Sequence, residues 1–319
     1  MRIAAAQIHP EWGNPDATTS RISDWVGRAA ADGIELVAFG ETFLSGYPFW
    51  VSMTDGARFD DADQKRAFAA YLDSAVELDG PELSRIAEAA RDHRVFTYLG
   101  ITERGSGPAR GTVFATLVAI DPERGLVSAH RKLMPTYEER LVWGIGDGHG
   151  LRVHGLPDGT RVGGLNCWEN WMPQARHAMY AGGEDLHVAV WPGGTENTRE
   201  ITRFIALEGR VFVLSASTLL HTDDISASFP LRDQVLAGGS RLLYDGGSAI
   251  AGPDGAWIVA PVSGEERLIA ADIDLARVRE ERQNFDPTGH YSRPDVFEVN
   301  VDRRRRTAAT FSDGDEPAR

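Results

Sequence analysis

Hydrophobic positions along the chain recur with two periods, and their alternation predicts strands separated by helices. Arg2-Ile3-Ala4-Ala5-Ala6-Gln7-Ile8 is a short apolar run stopped by His9-Pro10, and it reads as a strand. Residues 18–31 then place Ile22, Trp25, Val26 and Ala29 on one face of an amphipathic helix. Gly33 breaks that helix and 34–39 form a second apolar strand, completing one βαβ unit. Helices follow over 64–77 and 81–92, the second with Leu83, Ile86, Ala87 and Ala90 on one face. Strands follow over 95–101, 112–120 and 125–129.

The second half repeats this grammar. A strand over 162–165 leads to a helix over 174–181 and a strand over 186–190. A helix over 198–208 aligns Ile201, Phe204, Ile205 and Glu208, and a strand follows over 211–215. The segments 247–251, 256–259 and 267–273 read as a closing meander. Strands apolar on both faces, with helices between them, imply an α/β fold whose sheet is covered by helices. With no internal repeat and no Ser/Gly-rich linker, residues 1–301 are expected to form one domain. From Asp302 onward, through Arg303-Arg304-Arg305-Arg306, periodicity is lost, so 302–319 is expected to be a tail, disordered or used in assembly.

Composition narrows the classes of function. A formal net charge of −14, with no basic stripe, argues against nucleic-acid binding. A hydrophobic content of 42% without an 18-residue apolar run suits a globular chain that does not span a membrane. The first residues pass straight into a strand rather than a signal peptide, and a single cysteine excludes an internal disulfide. Both point to a reducing cytoplasm. The nine histidines show no metal-ligand spacing, so neither a metal nor another cofactor is called for.

The lone thiol, Cys167, stands where the strand ending at Leu165 turns toward a helix that starts near Pro173. That elbow exposes a side chain at the carboxyl edge of a sheet, and a nearby helix N-terminus would help stabilise a thiolate. A thiol needs a base, and Glu41, at the end of the second apolar strand, is a carboxylate that burial could tune for the task. Only two of the 33 basic residues are lysines, Lys65 and Lys132. Lys65 reads as an exposed helix charge, whereas Lys132, at a strand end, suggests a need for a compact ammonium.

Three blocks then resemble the signatures of the nitrilase superfamily. They are Phe39-Gly40-Glu41-Thr42-Phe43 with Gly46-Tyr47-Pro48, His130-Arg131-Lys132-Leu133-Met134-Pro135-Thr136, and Gly164-Leu165-Asn166-Cys167-Trp168-Glu169-Asn170. The resemblance runs to about Asp295 and includes Trp191-Pro192 and Gly289-His290-Tyr291-Ser292-Arg293-Pro294-Asp295. It implies a four-layer αββα sandwich, dimerising to αββααββα and extending to larger homo-oligomers or spirals. It also implies a Glu-Lys-Cys triad on Glu41, Lys132 and Cys167. A second family glutamate falls on Glu139 rather than Glu138, because Arg140 follows it.

The Cys-Trp-Glu run resembles the nitrilase branch. That branch implies attack of Cys167 on a small nitrile, with water completing hydrolysis to a carboxylic acid and ammonia. An amidase, or a cyanide-processing hydrolase or hydratase with the same triad, is the alternative. A non-catalytic thiol sensor or filament protein would be a different class, with no need for Glu41 and Lys132. Tyr47, Trp168 and Trp191 are expected to line the substrate pocket. Two residues depart from the family pattern: Gly40 where Pro is common, expected to loosen the turn presenting Glu41, and Ala115 where Asn is common. Ala175, Ala178 and Met179, on the helix after the cysteine, are expected to face a second subunit.

Overall fold

The computed structural model describes residues 1–239 and 241–309. Its first half runs β1 (Arg2–Gln7), α1 (Pro15–Ala31), β2 (Leu36–Ala38), α2 (Trp50–Met53), α3 (Ala62–Ser74), α4 (Pro81–His93), β3 (Phe96–Arg104), β4 (Val113–Asp121) and β5 (Gly125–Arg131). The second half runs β6 (His154–Gly155), β7 (Arg161–Asn166), α5 (Pro173–Ala181), β8 (Leu186–Trp191), α6 (Thr195–Gly209), β9 (Phe212–Ser217), β10 (Leu219–His221), α7 (Arg232–Ala237), β11 (Leu242–Ala251), β12 (Trp257–Ser263), β13 (Arg267–Asp272) and α8 (Ala276–Arg282).

The strands form two sheets. One has the order β13-β1-β2-β3-β4-β5, the other β10-β11-β9-β8-β7-β6, with β12 paired to β11. Each holds a parallel centre, β1-β2-β3 in the first and β7-β8-β9 in the second, flanked by antiparallel strands. The period-2 pattern of β1 shows how the layers arise. Ile3 and Ala5 join the core between the sheets, opposite Val188, Val190, Phe212 and Leu214. Ala4 and Ala6 turn the other way, onto Ile22, Trp25 and Val26 of α1 and Ile86 and Ala90 of α4. Beyond the second sheet, Ile201, Ile205 and Ala206 of α6 complete the fourth layer. The αββα sandwich implied by the resemblance is therefore the observed fold.

Helix boundaries follow local chemistry. The Asn14 side chain accepts from Ala17 N–H and Pro15 opens α1, while α4 opens on Pro81 and ends at Arg94 in the left-handed region, φ 57°. No helix among the described residues is long and apolar enough to cross a membrane.

Two expectations need correction. The closing meander is broken: β13 leaves β12 and pairs antiparallel with β1, joining the far end of the chain to its start. Ala175, Ala178 and Met179 are buried inside the subunit with Leu151 and Leu165, so they present no surface to a second copy. Residues 302–309 run without regular structure past the loop at 146–150. Arg305 there bonds Asp147 Oδ1 at 3.2 Å and the Ala129 carbonyl at 3.1 Å. The remainder of the expected tail, 310–319, lies outside the described residues.

The fold places β3 hard against the loop that leaves β2. Leu44 N–H donates to Gly100 O at 3.1 Å, and a Cβ on Gly100 would fall 2.2 Å from Gly40 O and 2.7 Å from Glu41 Cα. Gly100→Ala is expected to cost about 1–3 kcal/mol through overpacking against backbone. Ile86→Ala, in the helix layer, is expected to cost about 2–5 kcal/mol through the cavity it leaves. Urea unfolding reads both, and a loss below about 0.5 kcal/mol in either would contradict this packing.

Candidate active site

Glu41 sits just past β2, where its N–H donates to the Trp191 carbonyl of β8 at 3.0 Å. This bond crosses from one sheet to the other. The turn is not loosened by Gly40, contrary to the expectation. A Cβ there would lie 2.1 Å from Thr218 Oγ1 and 2.8 Å from Trp191 O, so glycine is what lets the sheets approach this closely.

Lys132 follows β5 and anchors its backbone by donating to Ala115 O at 2.8 Å. Ala115 therefore contributes through its carbonyl, a group that any residue offers. The Lys132 ammonium lies 2.9 Å from Glu41 Oε1 and donates to Glu139 Oε2 at 2.7 Å, all three groups being buried. It also stands 5.3 Å from the centre of the Trp143 ring.

Glu139 belongs to a 3-10 turn, Tyr137–Leu141, capped by Thr136. Its Oε2 also accepts from Thr136 N–H at 2.6 Å, and its Oε1 from the Tyr47 hydroxyl at 2.7 Å. Three donors converge on Glu139 and engage both of its oxygens, which fixes the carboxylate against the ammonium. Its evident capacity is to hold the ammonium still.

Cys167 opens a second 3-10 turn, Cys167–Trp171, with φ 47°. A non-glycine residue in that region stores on the order of 1–3 kcal/mol and persists only where its surroundings over-determine it. The thiol is buried, and Glu41, Glu139 and Cys167 hold one ligand atom each within 4.8 Å of one another. Such a cluster could attract a cation, and the Lys132 ammonium supplies one. The four side chains singled out in the sequence are thus brought together, three from the first sheet's loops and one from the second.

Burial pushes the Glu41 carboxyl up to about 7, against the pull of Lys132 and with a further push from Glu139. Burial likewise raises the Cys167 thiol well above its ordinary range; the Glu41 charge adds to this and Lys132 opposes it. A thiolate stabilised by a helix N-terminus is therefore not what the structure holds. Helix α5 starts only at Pro173, beyond the 3-10 turn, and the resting sulfur is a neutral thiol that would need a base to ionise. Lys132 is kept charged: burial disfavours the ammonium, but the Glu41 and Glu139 carboxylates hold it, joined by Cys167 once its sulfur is ionised.

The pocket expectations divide. Trp168 is 54% exposed beside the cysteine. The Tyr47 hydroxyl is engaged by Glu139, and its ring packs edge-on against Trp143 and Tyr244. Trp191 has no exposed surface and belongs to the same buried cluster as Cys167, with Ala189 and Ile201. It backs the elbow rather than walling an open cleft.

Glu169 and His130 stand within the family blocks, but the sequence assigns neither a role of its own. Glu169 accepts from Leu133 N–H at 2.8 Å, from Asn166 N–H at 2.9 Å, and from His130 Nε2 at 3.0 and 2.9 Å. It ties the Lys132 segment to the Cys167 elbow. Burial alone would raise its carboxyl, yet His130 and the two N–H donors hold it below the ordinary range. The signal was present: His130 and Lys132 lie two apart, on one face of the strand, and Asn166 to Glu169 has capping-box spacing.

The carbon-nitrogen hydrolase family model matches residues 2–283. An aliphatic nitrilase of Rhodococcus rhodochrous is 35% identical over 321 residues, covering 96% of this chain and 84% of that protein. A nitrilase of Bradyrhizobium diazoefficiens is 39% identical over 290 residues, covering 90% and 88%. A carbon-nitrogen hydrolase of Helicobacter pylori shares the fold with a TM-score of 0.66 at 17% identity, covering 92% and 96%. The chain belongs to the carbon-nitrogen hydrolase family. Identity with curated nitrilases over nearly its whole length puts it on the nitrilase branch of that superfamily.

Removing the Glu169 carboxylate leaves His130 and two backbone donors unpaired, so Glu169→Ala is expected to cost about 3–5 kcal/mol and Glu169→Gln less. Because the carboxyl is held below its ordinary value, wild type's advantage over Glu169→Gln is full at neutral pH. It should shrink as pH falls through the folded value. Urea unfolding across the acid range measures this, and an advantage unchanged by acid would contradict the assignment.

Proposed function

We propose that the enzyme hydrolyses an organic nitrile to the carboxylic acid and ammonia. The observation that carries this reading is the Lys132 ammonium set between Glu41 and Glu139 beside the buried thiol. Glu41 accepts the Cys167 proton as the sulfur attacks the nitrile carbon. The nitrogen takes up that proton and a covalent thioimidate forms. Negative charge building on nitrogen lies toward Lys132, which stabilises it in a dry setting. Water, deprotonated by Glu41, adds to the thioimidate; the carbon–nitrogen bond breaks and ammonia leaves. A second water cleaves the resulting thioester, releasing the acid and restoring the thiol. Glu139 keeps Lys132 in place throughout, and Trp168 and Tyr47 bound the substrate.

The relatives' names support nitriles as substrates, the Rhodococcus protein being named an aliphatic nitrilase. Ammonia release from a panel of nitriles, each run beside its matching amide, tests the reading. Turnover of nitriles with a mass adduct on Cys167, lost in Cys167→Ala, is the expected result. Lys132→Arg should fold yet lose at least about 100-fold in rate, the size of effect seen when one charge-stabilising group is removed. Amides turned over while nitriles stay inert would point to the amidase alternative.

We further propose that residues 1–301 act as one domain with an appended segment, that the enzyme works in a reducing cytoplasm, and that it assembles with itself. Phe204 and Leu207 on the outer side of α6, with Trp171 ahead of α5, remain 41–44% exposed and form an apolar surface for a second copy. Sedimentation should show wild type as at least a dimer and Phe204→Asp shifted toward monomer. A monomeric wild type with full activity would overturn the assembly.

A further inference from the structure

The elbow that bears Cys167 is held by side chains that take no part in the proposed chemistry. Asn170, three residues on, has no exposed surface. Its side-chain nitrogen donates to the Cys167 carbonyl at 2.9 Å and to the Leu165 carbonyl at 3.2 Å. Carbonyls only accept, so the amide orientation is fixed and its oxygen faces His187 Nε2 at 2.8 Å. His187 Nε2 must then carry hydrogen.

Across the ring, Nδ1 lies 2.9 and 3.1 Å from the two carboxylate oxygens of Glu184, a pairing that needs a proton between them. His187 and Glu184 are both completely buried. The run of glycines before the cysteine makes room for this pair: a Cβ on Gly163 would fall 2.4 Å from Glu184 Oε2. Arg282 donates to the Glu184 carbonyl and pairs with Asp185, and Arg176 donates to the Asn170 carbonyl at 2.9 Å. The carbonyl of the strained residue and that of Leu165, two residues before it, are therefore gathered by one amide, and that amide is aimed by one histidine.

We propose that Asn170, His187 and Glu184 form a positioning relay that holds Cys167 in its left-handed backbone, so that the thiol points at Glu41 and Lys132. The proposal rests on the reading of Cys167 as nucleophile. Its physical content is directional. Only a donor at His187 Nε2 keeps the Asn170 oxygen occupied, and only then do both amide hydrogens stay on the elbow carbonyls.

The test compares Asn170→Asp, which cannot donate to the carbonyls, with His187→Leu, which donates nothing, and His187→Gln, whose amide can still donate. Two rates are measured on protein shown folded by urea titration: turnover of a nitrile or amide, and alkylation of Cys167 by iodoacetamide. Asn170→Asp and His187→Leu should lose roughly 10–100-fold in kcat and in alkylation rate, the worth of one or two buried hydrogen bonds, with KM little changed. His187→Gln should recover most of that loss, which a purely structural role would not require. Equal kcat and alkylation rates in His187→Leu and His187→Gln, or wild-type rates in folded Asn170→Asp, would overturn the relay. Should Asn170→Asp fail to fold, the two His187 variants decide alone. Alkylation needs no turnover, so the relay is judged even if Cys167→Ala retains activity and the proposed reaction falls.

Discussion

A single buried ammonium, that of Lys132, lies between two buried carboxylates, and the rest of the molecule is arranged around this contact. Two unit charges 4 Å apart interact by about 4 kcal/mol at an effective dielectric of 20. Without the lysine, Glu41 and Glu139 would repel one another beside a thiol, with burial pushing the Glu41 carboxyl toward the neutral acid. With it, Glu41 settles near 7 and can accept a proton at neutral pH. Lysine's point charge suits a position shared by two acids, which a planar guanidinium would fill differently. The contact is made by loops of one sheet, and the facing of the two sheets brings Cys167, which follows a strand of the other, against it.

The same local device appears twice in the site. Each of two 3-10 turns has a glutamate at its third position, reaching back to the N–H of the residue before the turn. In the first turn the spare contact of Glu139 goes to Lys132; in the second that of Glu169 goes to His130. His130 and Lys132 share a face at the end of one strand. The two turns are therefore pinned to one stretch of backbone, and so are the groups they carry. A capping motif that in most helices satisfies only a terminus here fixes the spacing of Lys132 and Cys167.

The layers were legible because each strand and helix shows its period over enough residues to register. Pro81 and Pro173 mark helix starts in sequence and in structure alike, whereas the first helix opens at Pro15, three residues ahead of the expected 18. The 3-10 turns were not legible as elements, since five residues do not establish a period. The strand at 219–221 and the helix at 232–237 are likewise too short to stand out from their loops. Pairing of β13 with β1 was hidden for another reason: local pattern says nothing of a partner some 260 residues away, as with Ala6 and Leu268. Among site residues, Glu41, Lys132, Glu139 and Cys167 were named because their types and motifs carry chemistry. Asn170, at the end of a family block, and His187 and Glu184, outside them, carry no role in the sequence, because each is ordinary alone and gains meaning only from its neighbour. The helix after the cysteine misled for a similar reason: Ala175, Ala178 and Met179 are small enough for a subunit contact, and equally suited to the core they enter.

In the proposed reaction a neutral, buried thiol depends on Glu41, kept available by Lys132, to lose its proton. The pH dependence of Cys167 alkylation by a small uncharged reagent tests this most directly. Below about 7 the Glu41 carboxyl is protonated and cannot accept. The rate should therefore rise as pH climbs through about 7 and then level, and this rise should vanish in Glu41→Gln. A rate that stays low until the alkaline range of an isolated thiol, or a profile unchanged in Glu41→Gln, would contradict the account.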